Sequence, residues 1–592
     1  MENHIISIFN QRAMQYGQKE AFRFRNSGKN YQSITWEQLK TTVDQVFEAL
    51  QHLGCGKGDK IGIFSANRPQ WMISDLGIMA AGGVVVPLYA TASQEQIKYI
   101  ANETQMKLLF AGNQQQLDTA LALMEQVPSL EKVVVFEPFQ GDDPRVIAWA
   151  DFLEIPTGNK AKVTDGPKSI NYDPEDLATI IYTSGTTGEP KGAMLKHDNF
   201  VYCFQIHDER LNVNNKDVSL CFLPLSHVFE RLWSHYLLYK GAVNVFLENP
   251  REVIEVLPVV KPTLMCTVPR FFDKTYQGIH AELSRWPAVK QKIFKWAVKT
   301  GLQAIEYRCR AQKLPFILGL KLNLADKLVL KKLRGIFGGN IKTMPCSGAA
   351  ISTEVLKFFH AAGVFINYGY GATETTATVS CFRSDRYFYG TCGTIMPGVE
   401  VKIGEKNEIL VKGRSVFAGY YKKEEATREV LKEGWFYTGD EGYTDDMDNL
   451  VMTDRIKDLM KTSVGKYVSP QKLELLLAQD ELVEQIIVVG DNRQYVTALI
   501  VPSMPKLQAL AQEHQISAMD DRALTQSYQI LEIMEKRFAE LQKELTSYER
   551  VVRFTLLPEP FSIESGTMTS TLKLRRRSIE KAYKSIIDEM YI

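Results

Sequence analysis

A chain of 592 residues is too long for one hydrophobic core, so several domains are expected. At 45% hydrophobic and 23% charged, with a formal net charge of +1, it has the composition of a soluble globular protein. That balance excludes a chain-wide electrostatic attraction to nucleic acid. The eight cysteines are scattered, with no C-x-x-C and no Cys/His cluster, and read as reduced, mostly buried thiols of a cytoplasmic protein. The opening Met1-Glu2-Asn3-His4 lacks the basic and apolar regions of a signal peptide. The longest uncharged apolar stretch, Leu76 to Ala90, is broken by Gly82, Gly83 and Pro87 and reads as helix, turn and core strand rather than a membrane span.

In chain order, Ile61–Phe64, Val84–Leu88, Leu108–Phe110 and Val133–Phe136 are predicted strands. Pro69–Ala81 and Gln94–Ala101 are the helices between them. This alternation predicts parallel sheet in a doubly wound α/β architecture, with ligand loops at the carboxyl ends of the strands. A further buried strand, Leu177 to Tyr182, runs straight into Thr183-Ser184-Gly185-Thr186-Thr187-Gly188-Glu189-Pro190-Lys191-Gly192. Three glycines, four hydroxyls and a lysine in ten residues suit a polyphosphate cradle. Glycine lets backbone N–H groups face an anion, and lysine adds a point charge. The spacing is not that of the usual nucleotide loop, because Glu189 and Pro190 separate Gly188 from Lys191.

Leu223-Pro224-Leu225-Ser226-His227-Val228-Phe229-Glu230-Arg231 follows, a lone histidine near aromatics. Between Lys290 and Arg334 the pattern turns helical and basic, with twelve Lys or Arg against two acids, Glu306 and Asp326. Interleaved apolar residues leave two readings open there: a solvated helical face, or a surface resting on an anionic membrane. Asn367-Tyr368-Gly369-Tyr370-Gly371-Ala372-Thr373-Glu374-Thr375 places aromatics between glycines, where a ring can lie against a purine. Thr373 can bond a phosphate oxygen, and Glu374 is a hard oxygen ligand suited to Mg²⁺.

Short strands at Glu408–Val411, Trp435–Tyr437 and Leu450–Thr453 predict a small β unit. Asp440, at the end of one of them, can accept from both ribose hydroxyls, with Arg455 in support. The charged run from Asp454 to Lys461 marks a boundary at 454–457. Beyond it strands are expected at Gln485–Val489 and Val496–Val501, a helix over Ile530–Leu545, and a basic tail around Lys573.

These motifs, in this order from Thr35-Trp36 to Lys573, resemble the AMP-forming adenylate family of acyl-CoA synthetases, adenylation domains and luciferases. The Asp454 start and Lys-rich form of the hinge run look like its long-chain fatty acyl-CoA synthetases. The resemblance implies an α/β fold: a large N-terminal domain (1–454) of two doubly wound subdomains with a β-barrel portion, and a smaller mobile α+β C-terminal domain (455–592). It implies ATP, Mg²⁺ and coenzyme A, and a long-chain fatty acid converted to acyl-AMP and then to acyl-CoA.

By the same resemblance Thr183, Ser184, Gly185, Thr186, Thr187, Gly188 and Lys191 hold phosphate, and Thr183 joins Glu374 at the metal. Gly348, Ala349 and Ala350 with Asn367, Tyr368, Gly369, Tyr370, Gly371 and Thr373 form the adenine side. Asp440 and Arg455 take the ribose. Lys457 is the pivot, with Lys461 and Gly465 beside it. Lys573 enters the site during adenylation, although Thr-Leu precedes it where the common form has Ser-Gly. Catalysis would rest on Lys573, Lys191, Glu374 and Thr183. His227 and Gly371 flank the carboxylate, and either Arg231 or Trp233 guards an acyl channel. The implied protein is cytoplasmic, a monomer or homodimer, peripheral at the inner membrane face if the basic segment binds lipid. A ligase loading an acyl carrier protein, and a non-catalytic nucleotide-binding relative, are the alternatives.

Overall fold

The computed structural model describes residues 4–25, 30–158, 172–183, 189–456, 460–463, 466–517, 520–562, 565–569 and 574–592. Ser184, Gly185, Thr186, Thr187, Gly188, Lys457, Gly465 and Lys573 therefore lie outside the described residues.

The first sheet has seven strands, in the order Val146–Ala148, Lys132–Val135, Leu108–Ala111, Lys60–Phe64, Val84–Leu88, Leu177–Thr183 and Lys191–Lys196. All pairs are parallel except the last, a hairpin that sets Thr183 opposite Lys191. Val84 to Leu88 is buried throughout, as expected of a strand covered on both faces. Its helices start where the chain supplies caps. The Ser93 hydroxyl accepts from Gln96 N–H, and the Gln96 side chain returns the bond to the Ser93 backbone. Pro69 opens the helix Pro69–Ala80 at a position where no N–H is required.

A second sheet places Val218–Cys221 and Val243–Phe246 parallel to Glu20–Arg25, with Tyr31–Thr35 antiparallel at its edge. Bridges through Leu264 and Thr267 connect it to Met344–Cys346, which pairs in parallel with Ile366–Tyr370. The largest apolar cluster lies between these layers, with Trp36, Trp71 and Phe200 fully buried. A five-stranded antiparallel unit follows, containing Glu400–Ile403, Glu408–Lys412, Trp435–Thr444 and Leu450–Arg455.

After residue 460 come the antiparallel pair Val483–Val489 and Val496–Pro502, joined in parallel by Val551–Leu556 and covered by Tyr528–Leu541. Among the described residues, the two apolar clusters of this C-terminal unit contain only residues from Met460 onward. Its contacts with the rest include Glu484, which pairs with Arg270 at 3.1 Å and Lys274 at 3.2 Å, and the Ala478 carbonyl, which accepts from Gln277 Nε2 at 3.5 Å. All eight cysteines are free, and seven are buried. No described helix is long and apolar enough to cross a membrane.

Two differences from the sequence-based reading bear on the site. Trp435–Thr444 continues through Gly439 and Asp440, because its far half forms a hairpin with Leu450–Arg455 and a register shift at Glu441 and Gly442 absorbs the irregularity. Ile366–Tyr370, for which the sequence reading has no strand, forms one. A Cβ at Gly369 would lie 2.5 Å from the Ser380 carbonyl oxygen, so the glycine admits the neighbouring strand.

Candidate functional site

The carboxyl end of Leu177–Thr183 and the start of Lys191–Lys196 bring Thr183 and Lys191 side by side, with Thr183 Oγ1 donating to the Lys191 carbonyl at 3.4 Å. Segment 418–421 lies along the second of these strands. Met194 N–H donates to the Gly419 carbonyl at 3.0 Å, and Tyr421 N–H to the Gly192 carbonyl at 2.8 Å. This pairing seats Tyr420 between two charged groups. Lys191 Nζ sits over its ring, 5.2 Å from the centroid, while its hydroxyl donates to Glu374 Oε1 at 2.8 Å. Burial, with the Glu374 charge beside it, pushes the Tyr420 phenol well up, so it stays a donor.

Glu374 lies in the single 3₁₀ turn Thr373–Thr375, and Phe417 N–H holds its carbonyl at 2.8 Å. The turn closes tightly. Thr376 and Ala377 both have positive φ, and a Cβ on Gly371 would fall 1.8 Å from the Ala377 carbonyl oxygen. Only glycine fits there. Thr373 is buried beside Glu374.

Asp440 sits within its strand, directly opposite Arg455, rather than at a strand end. Buried to 3% exposure, it accepts from the Tyr370 hydroxyl at 2.6 Å and pairs with Arg455 Nε at 3.1 Å. The Tyr370 hydroxyl is thus committed to Asp440, and its ring is buried. Tyr368 is the half-buried ring of the pair, and its hydroxyl reaches the Ala349 carbonyl at 3.2 Å. That contact joins the 367–371 strand to the loop of Gly348, Ala349 and Ala350, where Gly348 has φ 93°. The Asn367 amide turns inward to the Phe382 carbonyl at 2.7 Å.

A small apolar cavity of about 30 Å³ lies behind this strand. Gly369, Tyr370 and Thr378 form one side, and Leu211, Leu232 and Trp233 the other. His227 caps the helix Val228–Lys240 that supplies the latter wall, its Nδ1 accepting from Phe229 N–H at 3.2 Å. Trp233 Nε1 donates to Ser219 Oγ at 2.9 Å, which fixes the indole against the cavity.

Arg231 is not at the cavity. It is fully buried between Trp71 and Phe200, paired with Asp75 and donating to Thr179 Oγ1 at 2.6 Å. His235 completes the cluster at 2.7 Å from Asp75. Burial alone would raise the Asp75 pKa, but the Arg231 charge and the His235 hydrogen bond hold it below the ordinary value. Glu230, next in sequence, is also fully buried. Desolvation pushes it up to about 8, with contacts to Cys221 and the Leu223 backbone pulling the other way.

The structure thus gathers Lys191 and Glu374 around Tyr420, with Thr183 beside Lys191, and Asp440 with its partner Arg455 at Tyr370. Lys461 belongs to the C-terminal unit, with its ammonium over the Tyr467 ring and its N–H on Asp491. Sequence reading missed Tyr420. The signal was Gly419-Tyr420-Tyr421 behind an apolar strand, but a separation of 46 positions between Tyr420 and Glu374 hid their meeting.

Among the described residues, no group of three or more His, Cys, Asp or Glu could hold a metal by itself. A hard divalent cation here would need one carboxylate, Glu374, with the Thr183 hydroxyl and phosphate oxygens, a donor set that suits Mg²⁺.

Parallel α/β layers, a small antiparallel unit and a separate C-terminal unit are the fold of adenylate-forming domains. The adenylation domain of a carboxylate reductase from Mycobacterium chelonae superposes with TM-score 0.79 at 23% identity, covering 99% of this chain and 91% of that one. The corresponding two-domain structure from Segniliparus rugosus, solved with AMP, gives 0.77 at 23%, covering 99% and 82%. Residues 9–421 match the AMP-binding enzyme family and residues 457–592 its C-terminal domain, so the chain belongs to the AMP-binding enzymes. It is 32% identical over 565 residues to the long-chain-fatty-acid–CoA ligase FadD15 of Mycobacterium bovis, spanning 94% of this chain and 92% of the relative. Against long chain acyl-CoA synthetase 3 of Arabidopsis thaliana it is 29% identical, over 94% and 86%.

Proposed function

We propose that this protein is a long-chain fatty acid–CoA ligase that forms AMP. A carboxylate oxygen attacks the α-phosphorus of ATP, the bond to pyrophosphate breaks, and acyl-AMP results. The sulfur of coenzyme A then attacks the acyl carbon, and AMP leaves with the electron pair of the acyl–oxygen bond. The observation that carries this reading is a shared residue: Tyr370 borders the small apolar cavity and donates its hydroxyl to Asp440. The apolar lining and the carboxylate assigned to the ribose therefore meet at one residue.

In this reading Lys191 and the loop 184–188 hold phosphates, Glu374 and Thr183 hold Mg²⁺, and Asp440 with Arg455 holds the ribose. Tyr368 and the 348–350 loop border the adenine, and His227 and Gly371 the carboxylate. Bound Mg²⁺ would neutralise phosphate charge. No protein nucleophile is needed, because positioning and charge neutralisation supply the rate. The C-terminal unit, from a hinge at 454–457, brings Lys573 in for adenylation and turns about Lys457 for thioester formation. The 290–334 segment gives peripheral contact with an anionic membrane.

The test is an assay of thioester formation with purified enzyme across acids of increasing length. We expect release of AMP and pyrophosphate, dependence on coenzyme A, and highest activity on long chains. Glu374→Gln should abolish acyl-AMP formation with an unchanged melting temperature. Acyl-AMP made without transfer to coenzyme A, but with transfer to acyl carrier protein, would replace this reading with that of a carrier-loading ligase.

A further inference from the structure

The basic segment carries an apolar stripe that the fold turns outward. In the helix Phe316–Ala325, Phe316 is 81% exposed, Ile317 68%, Leu320 56% and Leu324 52%, with Leu328 at 46% in the turn that follows. At roughly 100° per residue the four helical positions fall within about 100° of arc, one face of the helix. The opposite side is anchored. Ala325, Val329, Leu330 and Leu333 are buried in a core cluster, with Leu322 packed against it. The stripe is thus held away from the protein by its own helix.

Lysines surround it: Lys313 before the helix, Lys321 within it, and Lys327, Lys331 and Lys332 after it, all exposed. The acid in this stretch, Asp326, is taken by Arg334 at 2.6 Å, and none of the five lysines forms an ion pair among the described residues. Ten helical residues span about 15 Å, half a bilayer core. Short, charged at its flanks and apolar on one face, such a helix lies in the plane of an interface. A second copy of the chain would set lysines against lysines, whereas anionic headgroups complement them.

We infer that the Phe316–Leu328 stripe inserts into the acyl boundary of an anionic bilayer while the flanking lysines bind its headgroups. This rests on the reading above of a long-chain ligase with peripheral membrane contact, and adds the inserting element. Binding then has a salt-sensitive part from the lysines and a salt-resistant part from the stripe.

The experiment uses the full-length enzyme and vesicles of phosphatidylcholine, with or without phosphatidylglycerol, at low and high salt. The wild type should float with anionic vesicles and retain part of its binding at high salt. Phe316→Ser, Ile317→Ser, Leu320→Ser and Leu324→Ser together should weaken binding about tenfold or more and remove the salt-resistant part. These are exposed positions, so the melting temperature and activity on a water-soluble acid should stay unchanged. An environment-sensitive dye on Ile317→Cys, in a Cys309→Ser background, should brighten and shift blue only with anionic vesicles.

Wild type and serine variant binding alike, with a dim dye, would overturn insertion and leave the membrane contact standing. No binding of the wild type to anionic vesicles would remove the contact itself. A dimer in sedimentation that the serine changes dissolve would assign the stripe to a second copy instead.

Discussion

At the scale of single residues, the site depends on a side chain that carries no charge. Tyr420 is the common neighbour of Lys191 and Glu374, so it fixes their separation before any phosphate arrives. Tyr420→Phe keeps the ring under the lysine and loses only the hydrogen bond to the carboxylate. A hydrogen bond to a charged group contributes about 1.5–3 kcal/mol, so ATP–pyrophosphate exchange should fall about tenfold or more. Melting temperature should barely move, and an unchanged exchange rate would show that Glu374 is positioned by its backbone alone.

Glu230 gives a second residue-scale prediction. Its unfolded value is 4.5 and its folded value about 8. Between these limits the folded protein keeps a proton that the unfolded chain releases. Stability is therefore greatest below about pH 4.5 as far as this group is concerned, falls as pH rises through the window, and levels off above 8. Glu230→Gln, which cannot ionise, should flatten that slope. Calorimetric melting of both proteins over a pH series checks it. Parallel slopes for the two proteins would mean that Glu230 does not govern this pH dependence.

At the scale of elements, the 3₁₀ turn carrying Glu374 is set by what Gly371 lacks. A methyl group at Gly371 would collide with the Ala377 carbonyl, in a loop already strained by positive φ at Thr376 and Ala377. Gly371→Ala must move that loop, and Glu374 with it. Adenylation should drop at least a hundredfold while the remote C-terminal strands keep their hydrogen-exchange protection, because a small displacement of a positioned group costs about this much in rate. Near-normal activity would mean that the loop relaxes without shifting the carboxylate.

At the scale of the whole molecule, the expected behaviour is a division of labour between two arrangements of the C-terminal unit. Lys573→Ala should suppress acyl-AMP formation yet spare thioester formation from supplied acyl-AMP. Lys457→Pro should do the reverse, because proline fixes φ near −65° and hinders a pivot. Measuring both half-reactions on each variant tests the pair. Equal losses in both would assign Lys573 a structural role, and wild-type rates for Lys457→Pro would move the hinge elsewhere. Glu484 docks the C-terminal unit on Arg270 and Lys274 in the arrangement described here, through half-exposed ion pairs that solvent weakens.

The sequence by itself determined the five inner strands of the first sheet, from Lys60–Phe64 to Leu177–Thr183, because β-branched runs and capped amphipathic stretches are local signals, but not Val146–Ala148 and Lys191–Lys196 at its edges. Val84–Leu88 and Pro69–Ala80 fall within a residue of where periodicity puts them. It also determined the family, since glycines, hydroxyls and lysine in dense local motifs are legible without any fold. Only the tertiary structure decided how those motifs are supported. Tyr420 is brought to Glu374, Arg231 withdrawn into the core with Asp75, and Tyr370 committed to Asp440 by pairings between segments far apart in the chain. The outward turn of Phe316, Ile317 and Leu320 was equally invisible, because an apolar helix face reads the same whether a core or water lies against it. Periodicity records which residues share a face, and packing decides what that face meets.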